Sequence, residues 1–171
     1  VQFSVDSVNI GLEDTSSPYS TTWDSTSVVD GSHTIGVSAT DIYNNVGTSS
    51  ITVTVDNTGP VISNILVTPN SDTEVTITWT TSEASDSLVD YGATDSYGSS
   101  ESSATLTTSH SVPITGLTVA TDYHFKISSE DAYGNLTESS DQTFSTFTGE
   151  FDDLDNKYAI PNKAMMPKIP V

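Results

Sequence analysis

Cysteine and arginine are absent from this 171-residue chain, and only four lysines are present. Without cysteine there is no disulfide framework, no thiolate metal site and no cysteine nucleophile. The three histidines, His33, His110 and His124, are too scattered to frame a zinc centre by spacing. So few cations make nucleic acid a poor partner, because phosphate recognition needs a lysine and arginine footprint. The same shortage argues against an anionic membrane surface. No run of about 18 apolar residues occurs, so no segment reads as a membrane helix, and no membrane insertion is expected. The chain opens on Val1 without an initiator Met or signal peptide, which suggests a processed or excised piece.

What is present is acid and hydroxyl. The chain carries 23 Asp and Glu for a formal charge of −19, with 28 serines and 27 threonines. The charge is uneven. Residues 1–150 hold 20 acids and one lysine, a net −19, whereas residues 151–171 hold three acids and three lysines, a net zero. That last stretch contains no Ser or Thr, but has Pro161, Pro167 and Pro170. Polarity and net charge of this order are also the mark of disorder. Here, however, apolar and polar residues alternate through most of residues 1–147, as half-buried strands require. The length allows one or two small domains.

Strands and turns are legible along the chain. Val1, Phe3 and Val5 share a face, Asp6-Ser7 turns, and Val8-Asn9-Ile10 returns as a hairpin. Residues 19–23, after Pro18, read as a strand. Residues 33–40 alternate through Ile35, Val37 and Ala39, residues 41–45 form a loop, and Ile51, Val53 and Val55 form the next strand. Asp56-Asn57-Thr58-Gly59-Pro60 is a linker by its turn chemistry, with 58–60 as the joint. A second module follows. Its strands are expected at 61–67, at Val75, Ile77 and Trp79, at 88–91, at 109–114 with Pro113 favouring an edge or a bulge, at Tyr123, Phe125 and Ile127, and over 136–147. No segment has a helical period. Turns recur about every 8–12 residues, the spacing of an all-β sandwich.

A faint internal repeat is present. Thr40-Asp41-Ile42-Tyr43-Asn44-Asn45-Val46 matches Glu130-Asp131-Ala132-Tyr133-Gly134-Asn135-Leu136, with the two aspartates 90 residues apart. Both read as hairpin turns. Asn or Gly accepts the left-handed backbone, and the aspartate bonds the backbone of its own turn.

Residues 1–57 resemble the bacterial Ig-like repeats of secreted and cell-surface proteins. The likeness rests on Val1-Gln2-Phe3-Ser4-Val5-Asp6, Pro18-Tyr19-Ser20-Thr21-Thr22-Trp23-Asp24, Asp30-Gly31-Ser32-His33-Thr34-Ile35 and Ala39-Thr40-Asp41. Such repeats usually have two more strands ahead of the segment matching Val1, so the resemblance implies an Ig-like module lacking its first strands. Residues 61–147 resemble a fibronectin type III module, like those flanking bacterial extracellular enzymes and the amino-terminal domain of purple acid phosphatases. Here the carriers are Ile77-Thr78-Trp79-Thr80-Thr81, Val89-Asp90-Tyr91-Gly92, Gly116-Leu117 and Thr121-Asp122-Tyr123-His124-Phe125. The resemblance implies a core role for Trp79 and a corner tied to the backbone by Tyr123. The expected fold is therefore all-β: an incomplete Ig-like module over 1–57, a linker at 58–60, a fibronectin type III-like sandwich over 61–148, and an extended tail over 149–171.

Both tryptophans, Trp23 and Trp79, have flat faces suited to sugar rings, but their alternating segments place them in the core. Tyr43, Tyr91, Tyr97 and Tyr133 remain as candidate loop contacts, with turn packing as the alternative. Calcium is the ion the loops suit best, being a hard cation that takes oxygen ligands. Asp41, Asn44 and Asn45 in the loop and Asp56 and Asn57 in the linker are the candidate ligands, with Asp152-Asp153-Leu154-Asp155-Asn156 as a second place. Ordinary turn chemistry is the competing reading, and no cofactor is required. Catalysis has no signature: the Gly-x-Ser-x-Gly elbow is missing, and Ser, Asp and His coincide only because serine is everywhere. Lys126, a conceivable isopeptide donor, alternates outward and reads as a solvated lysine. Asn135-Leu136-Thr137 is a chance-level glycosylation sequon.

In the tail, Tyr158, Ile160, Met166 and Ile169 are candidate partner contacts: the segment is either a linker or a strand donated to a neighbour's incomplete first module. The expected role is a non-catalytic structural or adhesive segment of an extracellular surface protein. The alternatives are a glycan-contacting accessory module of a secreted polysaccharide-degrading enzyme and a self-assembling filament subunit. Expected partners are neighbouring modules of the same or identical chains and a surface glycan.

Overall fold

The computed structural model describes residues 1–147, which form ten strands and one turn of 3-10 helix. Among the described residues no helix is long and apolar enough to cross a membrane. The chain divides into two compact units. One comprises Val1–Gly59 with Glu130–Asn135; the other comprises Pro60–Ser129 and the described residues from Leu136.

The first unit is one antiparallel sheet. Its strands are β1 (Gln2–Val5), β2 (Val8–Ile10), β3 (Gly31–Thr40) and β4 (Val46–Val55), in the order β2-β1-β3-β4. The Asp6-Ser7 turn joins β1 to β2 in the expected register, Val5 opposite Val8 and Phe3 opposite Ile10. Both turn residues have positive φ, 48° and 68°, which the right-handed twist of a two-residue hairpin demands. Alternation then sorts the side chains. Phe3, Val5, His33, Ile35, Val37, Ile51 and Val53 lie on one face, and Gln2, Ser4, Thr34, Ser38, Ser50 and Thr52 on the other. The apolar face is only partly covered: Val5 and Val55 are buried, but Ile51 and Val8 stay exposed.

Residues 19–23 do not form the expected strand. Their neighbourhood spends its backbone donors on a side chain: the N–H groups of Ser16 and Ser20 both donate to the Asp14 carboxylate at 2.9 Å. Trp23 precedes the 3-10 turn Ser25–Ser27, capped by Asp24, and its indole N–H donates to Ser27 Oγ at 3.1 Å. It is half-buried, not a core residue.

The second unit is a six-stranded antiparallel sheet built around one long strand. Its strands are β5 (Ile62–Ser71), β6 (Glu74–Gly92), β7 (Ser99–Ile114), β8 (Asp122–Glu130), β9 (Leu136–Glu138) and β10 (Gln142–Ser145). The first half of β6 pairs with β5 and with the second half of β7, Val75 opposite Ile114. The register then shifts between Thr80 and Ser85. Beyond that break the second half of β6 pairs with β8 and with the first half of β7, Tyr91 opposite Ser99 and Phe125. Thus the two expected strands at 75–79 and 88–91 are one strand that changes partners at an irregular corner. Pro113 lies opposite Thr76 on β7, which pairs only with β6. That is the edge position its missing N–H requires.

Both halves of β6 feed one core: Val75, Ile77, Trp79, Val89, Val112, Ile114, Leu117, Phe125 and Ile127. Tyr123 accepts a hydrogen bond at its hydroxyl from the Thr118 N–H at 2.9 Å, tying down the corner before β8 as the resemblance implied. Lys126 points outward and meets Glu138 at 2.7 Å.

The units carry histidines of opposite character. Both nitrogens of the buried His33 ring face acceptors, Asp6 Oδ2 at 2.6 Å and the Val29 carbonyl at 2.7 Å. The protonated ring satisfies both, and the bond to Asp6, then that to Val29, raises its pKa. His110 is buried between hydroxyls and stacked on Trp79 with ring centres 4.7 Å apart. The Thr81 hydroxyl donates to the Glu83 carbonyl at 2.6 Å, so it accepts from His110 Nε2–H at 2.9 Å. Nδ1 then accepts from Ser87 at 2.8 Å. That ring is neutral, and burial lowers its pKa.

The consequences for pH are opposed. His33 contributes stability that is full below the unfolded value of about 6.5 and drains away as pH rises through its higher folded value. His110 contributes stability that is full above about 6.5 and is lost as pH falls below it. Moving from about pH 8 to about pH 5.5 is therefore expected to raise amide protection in the first unit relative to the second. Charge repulsion eases in both acidic units, so the difference between them reports the imidazoles. Parallel changes in unit-resolved hydrogen exchange would contradict the two protonation states.

Candidate functional site

The repeated motif gives two turns of the same construction. In the β3–β4 hairpin, Asp41 Oδ1 accepts from the N–H groups of Tyr43 at 2.8 Å and Asn45 at 2.9 Å, and Oδ2 accepts from Asn45 Nδ2 at 2.8 Å. After β8, Asp131 Oδ1 accepts from Tyr133 N at 2.8 Å and Asn135 N at 2.9 Å, and Oδ2 from Asn135 Nδ2 at 2.8 Å. Backbone bonds close each loop, from Asp41 N to the Asn45 carbonyl and from Asp131 N to the Asn135 carbonyl. The fourth motif position has the left-handed backbone in both, Asn44 at φ 65° and Gly134 at φ 89°. The Asn135 of the sequon thus serves its own turn.

Each aspartate bonds more strongly as an anion. Hydrogen bonds from the Asn45 side chain and backbone hold the Asp41 carboxyl below the usual range. Burial pushes the Asp131 carboxyl up, but the bonds from Asn135 and Tyr133 outweigh it, and its pKa is lowered. The cage keeps an aromatic ring at each tip in the solvent: Tyr43 is 77% exposed, and Tyr133 60%. Asp131→Ala strands three donors near a largely buried position. It is expected to cost about 1.5–3 kcal/mol, the value of bonds to a charged group. Asp41→Ala, where water can replace the carboxylate, is expected to cost less. Urea titrations of both variants check the order.

The calcium candidates fall at two places. Asp41, Asn44 and Asn45 cap one end of the β3–β4 ladder and Asp56 and Asn57 follow the other, since Thr40 pairs with Val46 and Gly31 with Val55. Ten strand residues, roughly 30 Å, separate them. Asn57 is braced by Asp30, which accepts from its N–H at 2.8 Å and from the Thr58 hydroxyl. Asp56 Oδ1 accepts from Thr58 N at 3.3 Å. The bracing role of Asp30 was not apparent in the sequence, where Asp30-Gly31 reads only as a turn. The acidic run 152–156 and the candidate contacts Tyr158, Ile160, Met166 and Ile169 lie outside the described residues.

Of the aromatic candidates, Tyr97 takes a left-handed backbone at φ 54° and donates to Asp141 at 3.2 Å, whose other oxygen meets His124 Nδ1 at 2.8 Å. Tyr91 packs against the core. Trp79 is a core residue, 2% exposed. Trp23 departs from expectation. With Ile35, Val53 and Asp56 it lines an open depression of about 350 Å³ on the first unit.

Comparison with known proteins places both units. Residues 1–37 match the family model of the bacterial Ig domain, and residues 60–146 that of the purple acid phosphatase N-terminal domain. No curated protein matches the sequence. Among solved structures the chain is similar to domains d3-d4 of the rat CD45 extracellular region, with 12% identity over 80% of this chain and 75% of that one, at a TM-score of 0.50. It is also similar to the sensor domain of the anti-sigma factor RsgI4 of Pseudobacteroides cellulosolvens, with 22% identity, 66% and 94% coverage, and a TM-score of 0.40. The third fibronectin III domain of human KIAA0343 protein matches at 14% identity, 51% and 81% coverage, and a TM-score of 0.39. The likeness to the CD45 domains is one of fold. The matched phosphatase region is an N-terminal, non-catalytic domain, and the fibronectin type III-like module expected from the sequence is the one found. Through residues 60–146, the chain belongs to the family of the purple acid phosphatase N-terminal domain.

Proposed function

We propose that this chain is a non-catalytic structural and adhesive segment of an extracellular surface protein, setting a distance and presenting loops. The observation that carries this reading is the pair of aspartate-locked turns. Each fixes a hairpin tip with its own side chains and leaves a tyrosine in solvent. Rigid tips lower the ordering cost of binding, and tyrosine is a favoured contact residue. The acidic, hydroxyl-rich composition suits solubility outside a cell, and the bacterial Ig match supports the same setting. The test is binding to intact cells or matrix by the full chain and by a Tyr43→Ala, Tyr133→Ala double variant. Loss of binding at unchanged melting temperature supports loop presentation. Equal binding by both removes it. Calcium at either end of the β3–β4 ladder would stiffen the segment, and a midpoint that rises with added calcium would identify it.

A glycan-contacting accessory module is the second reading. The half-buried Trp23, lining an open depression instead of a core, favours it. A glycan array with the full chain and Trp23→Ala separates the two: retention lost with Trp23 supports this role, and no retention sinks it.

A further inference from the structure

Among the described residues the first unit's sheet has two edges, the three-residue β2 and the ten-residue β4. In the order β2-β1-β3-β4, β4 pairs with β3 on one side, and no described strand covers the other. Its ten residues, Val46–Val55, hold no charge, no proline and no bulge, and they pair with β3 without a register break. Proteins normally blunt such edges with lysine, proline or bulges, because unpaired N–H and C=O groups template a further strand. Here none of these devices is used. Ile51 lies 64% exposed, and Phe3, Ile35, Val37 and Ile51 line a shallow depression of about 190 Å³ on the same face.

The sequence holds a segment suited to that edge. Successive strand residues point their N–H groups to opposite sides, so Pro161 and Pro167, six apart, lack their donors on the same side. With that side outward, every even-numbered residue from 158 to 168 keeps its N–H for β4, and the two prolines cap the new edge. Side chains alternate with the same period. As a strand, Tyr158, Ile160, Asn162, Ala164, Met166 and Lys168 would share one face, with the lysine at its end, and Lys157 and Lys163 the other. Strand direction is free, and one of its two senses lays the first set beside Ile51 and Val53. Pro170 breaks the parity, so the fit ends before it and Ile169 falls on the opposite face.

Charge selects the same occupant. Residues 1–59 contain seven acids and no lysine or arginine, whereas residues 157–171 contain three lysines and no acid. Pairing β4 with a second β4 would set two acidic units edge to edge.

We infer that residues 158–168 of a neighbouring copy add to β4 as a fifth strand. A neighbour can bring its segment to β4 in any orientation, and each copy offers one donor and one acceptor. The contact joins unlike surfaces, so copies associate either by closing into a reciprocal pair or ring or by extending into open chains. This does not depend on the loop-presenting role.

Light scattering of the full chain across concentration, with β4 hydrogen exchange, tests the inference. Two proline substitutions one residue apart set the parity. Ala164→Pro removes an N–H aimed at β4; Met165→Pro removes one aimed outward. Wild type and Met165→Pro are expected to associate with protection of β4, and Ala164→Pro to associate at least tenfold more weakly. A chain that stays monomeric overturns the inference, as does equal association by the two variants. A monomer whose β4 is protected assigns the segment to its own chain and equally refutes the neighbour.

Discussion

Truncating Trp79 to alanine is expected to destabilise the second unit by about 3–5 kcal/mol, the range for removing a buried aromatic. Three losses combine. Trp79 is among the largest fully buried side chains and belongs to the core fed by both halves of β6. It also forms one face of the stack on His110, whose ring centre lies 4.7 Å away. Its indole N–H donates at 3.1 Å to Ser129 Oγ, a hydroxyl with no exposure of its own. A small domain has about 5–15 kcal/mol to lose, so this one substitution removes a large share of the total. Trp79→Phe keeps a ring but drops the indole donor, and it should cost clearly less. Circular dichroism during urea titration measures both. A loss under about 1 kcal/mol for the alanine variant would mean that Trp79 does not organise this core.

The second large effect comes from adding a single methyl group. Gly92 ends β6, and the following loop folds back over it. A Cβ built there would overlap the Tyr97 carbonyl carbon and oxygen. These are backbone atoms, held by the bond from Tyr97 N to the Thr94 carbonyl at 2.9 Å and by the Tyr97 hydroxyl on Asp141. They cannot rotate aside as a flexible side chain would. Gly92→Ala is expected to cost about 3 kcal/mol or more, the upper range for overpacking, because the backbone must move. It should also release Tyr97 from Asp141. Gly47→Ala is the control: a Cβ there meets nothing within 4 Å and needs no unusual φ. That variant should be neutral or stabilising by up to about 1 kcal/mol. Equal losses at both positions would contradict the close approach.

The aspartate turns were legible in the sequence because their chemistry is local. Aspartate, a left-handed fourth position and asparagine close a loop among five consecutive residues, so the repeat carried the geometry with it. The Asp6-Ser7 hairpin and the outward Lys126 were legible for the same reason: period-two alternation and turn chemistry act over short range. Residues 19–23 misled because alternation records a pattern and not a partner. Neighbouring N–H groups found Asp14, and Trp23 is half-buried outside any strand. The joining of 75–79 and 88–91 into one strand was equally hidden. It depends on a corner where Thr81, Ser85 and His110 satisfy one another inside the protein.

By itself, the sequence determined that this is an all-β, cysteine-free, acidic chain with two matching turns and a chemically distinct tail. Composition, alternation and turn residues express local preferences, and local preferences can be read without coordinates. Only the tertiary structure decided which tryptophan is core, which histidine favours its charged form and which long strand lies at a sheet edge. Each of these turns on a partner distant in sequence: Ser129 for Trp79, Asp6 for His33, and the pairing order that leaves β4 outermost. Burial and protonation follow from such long-range company, which no stretch of sequence states alone.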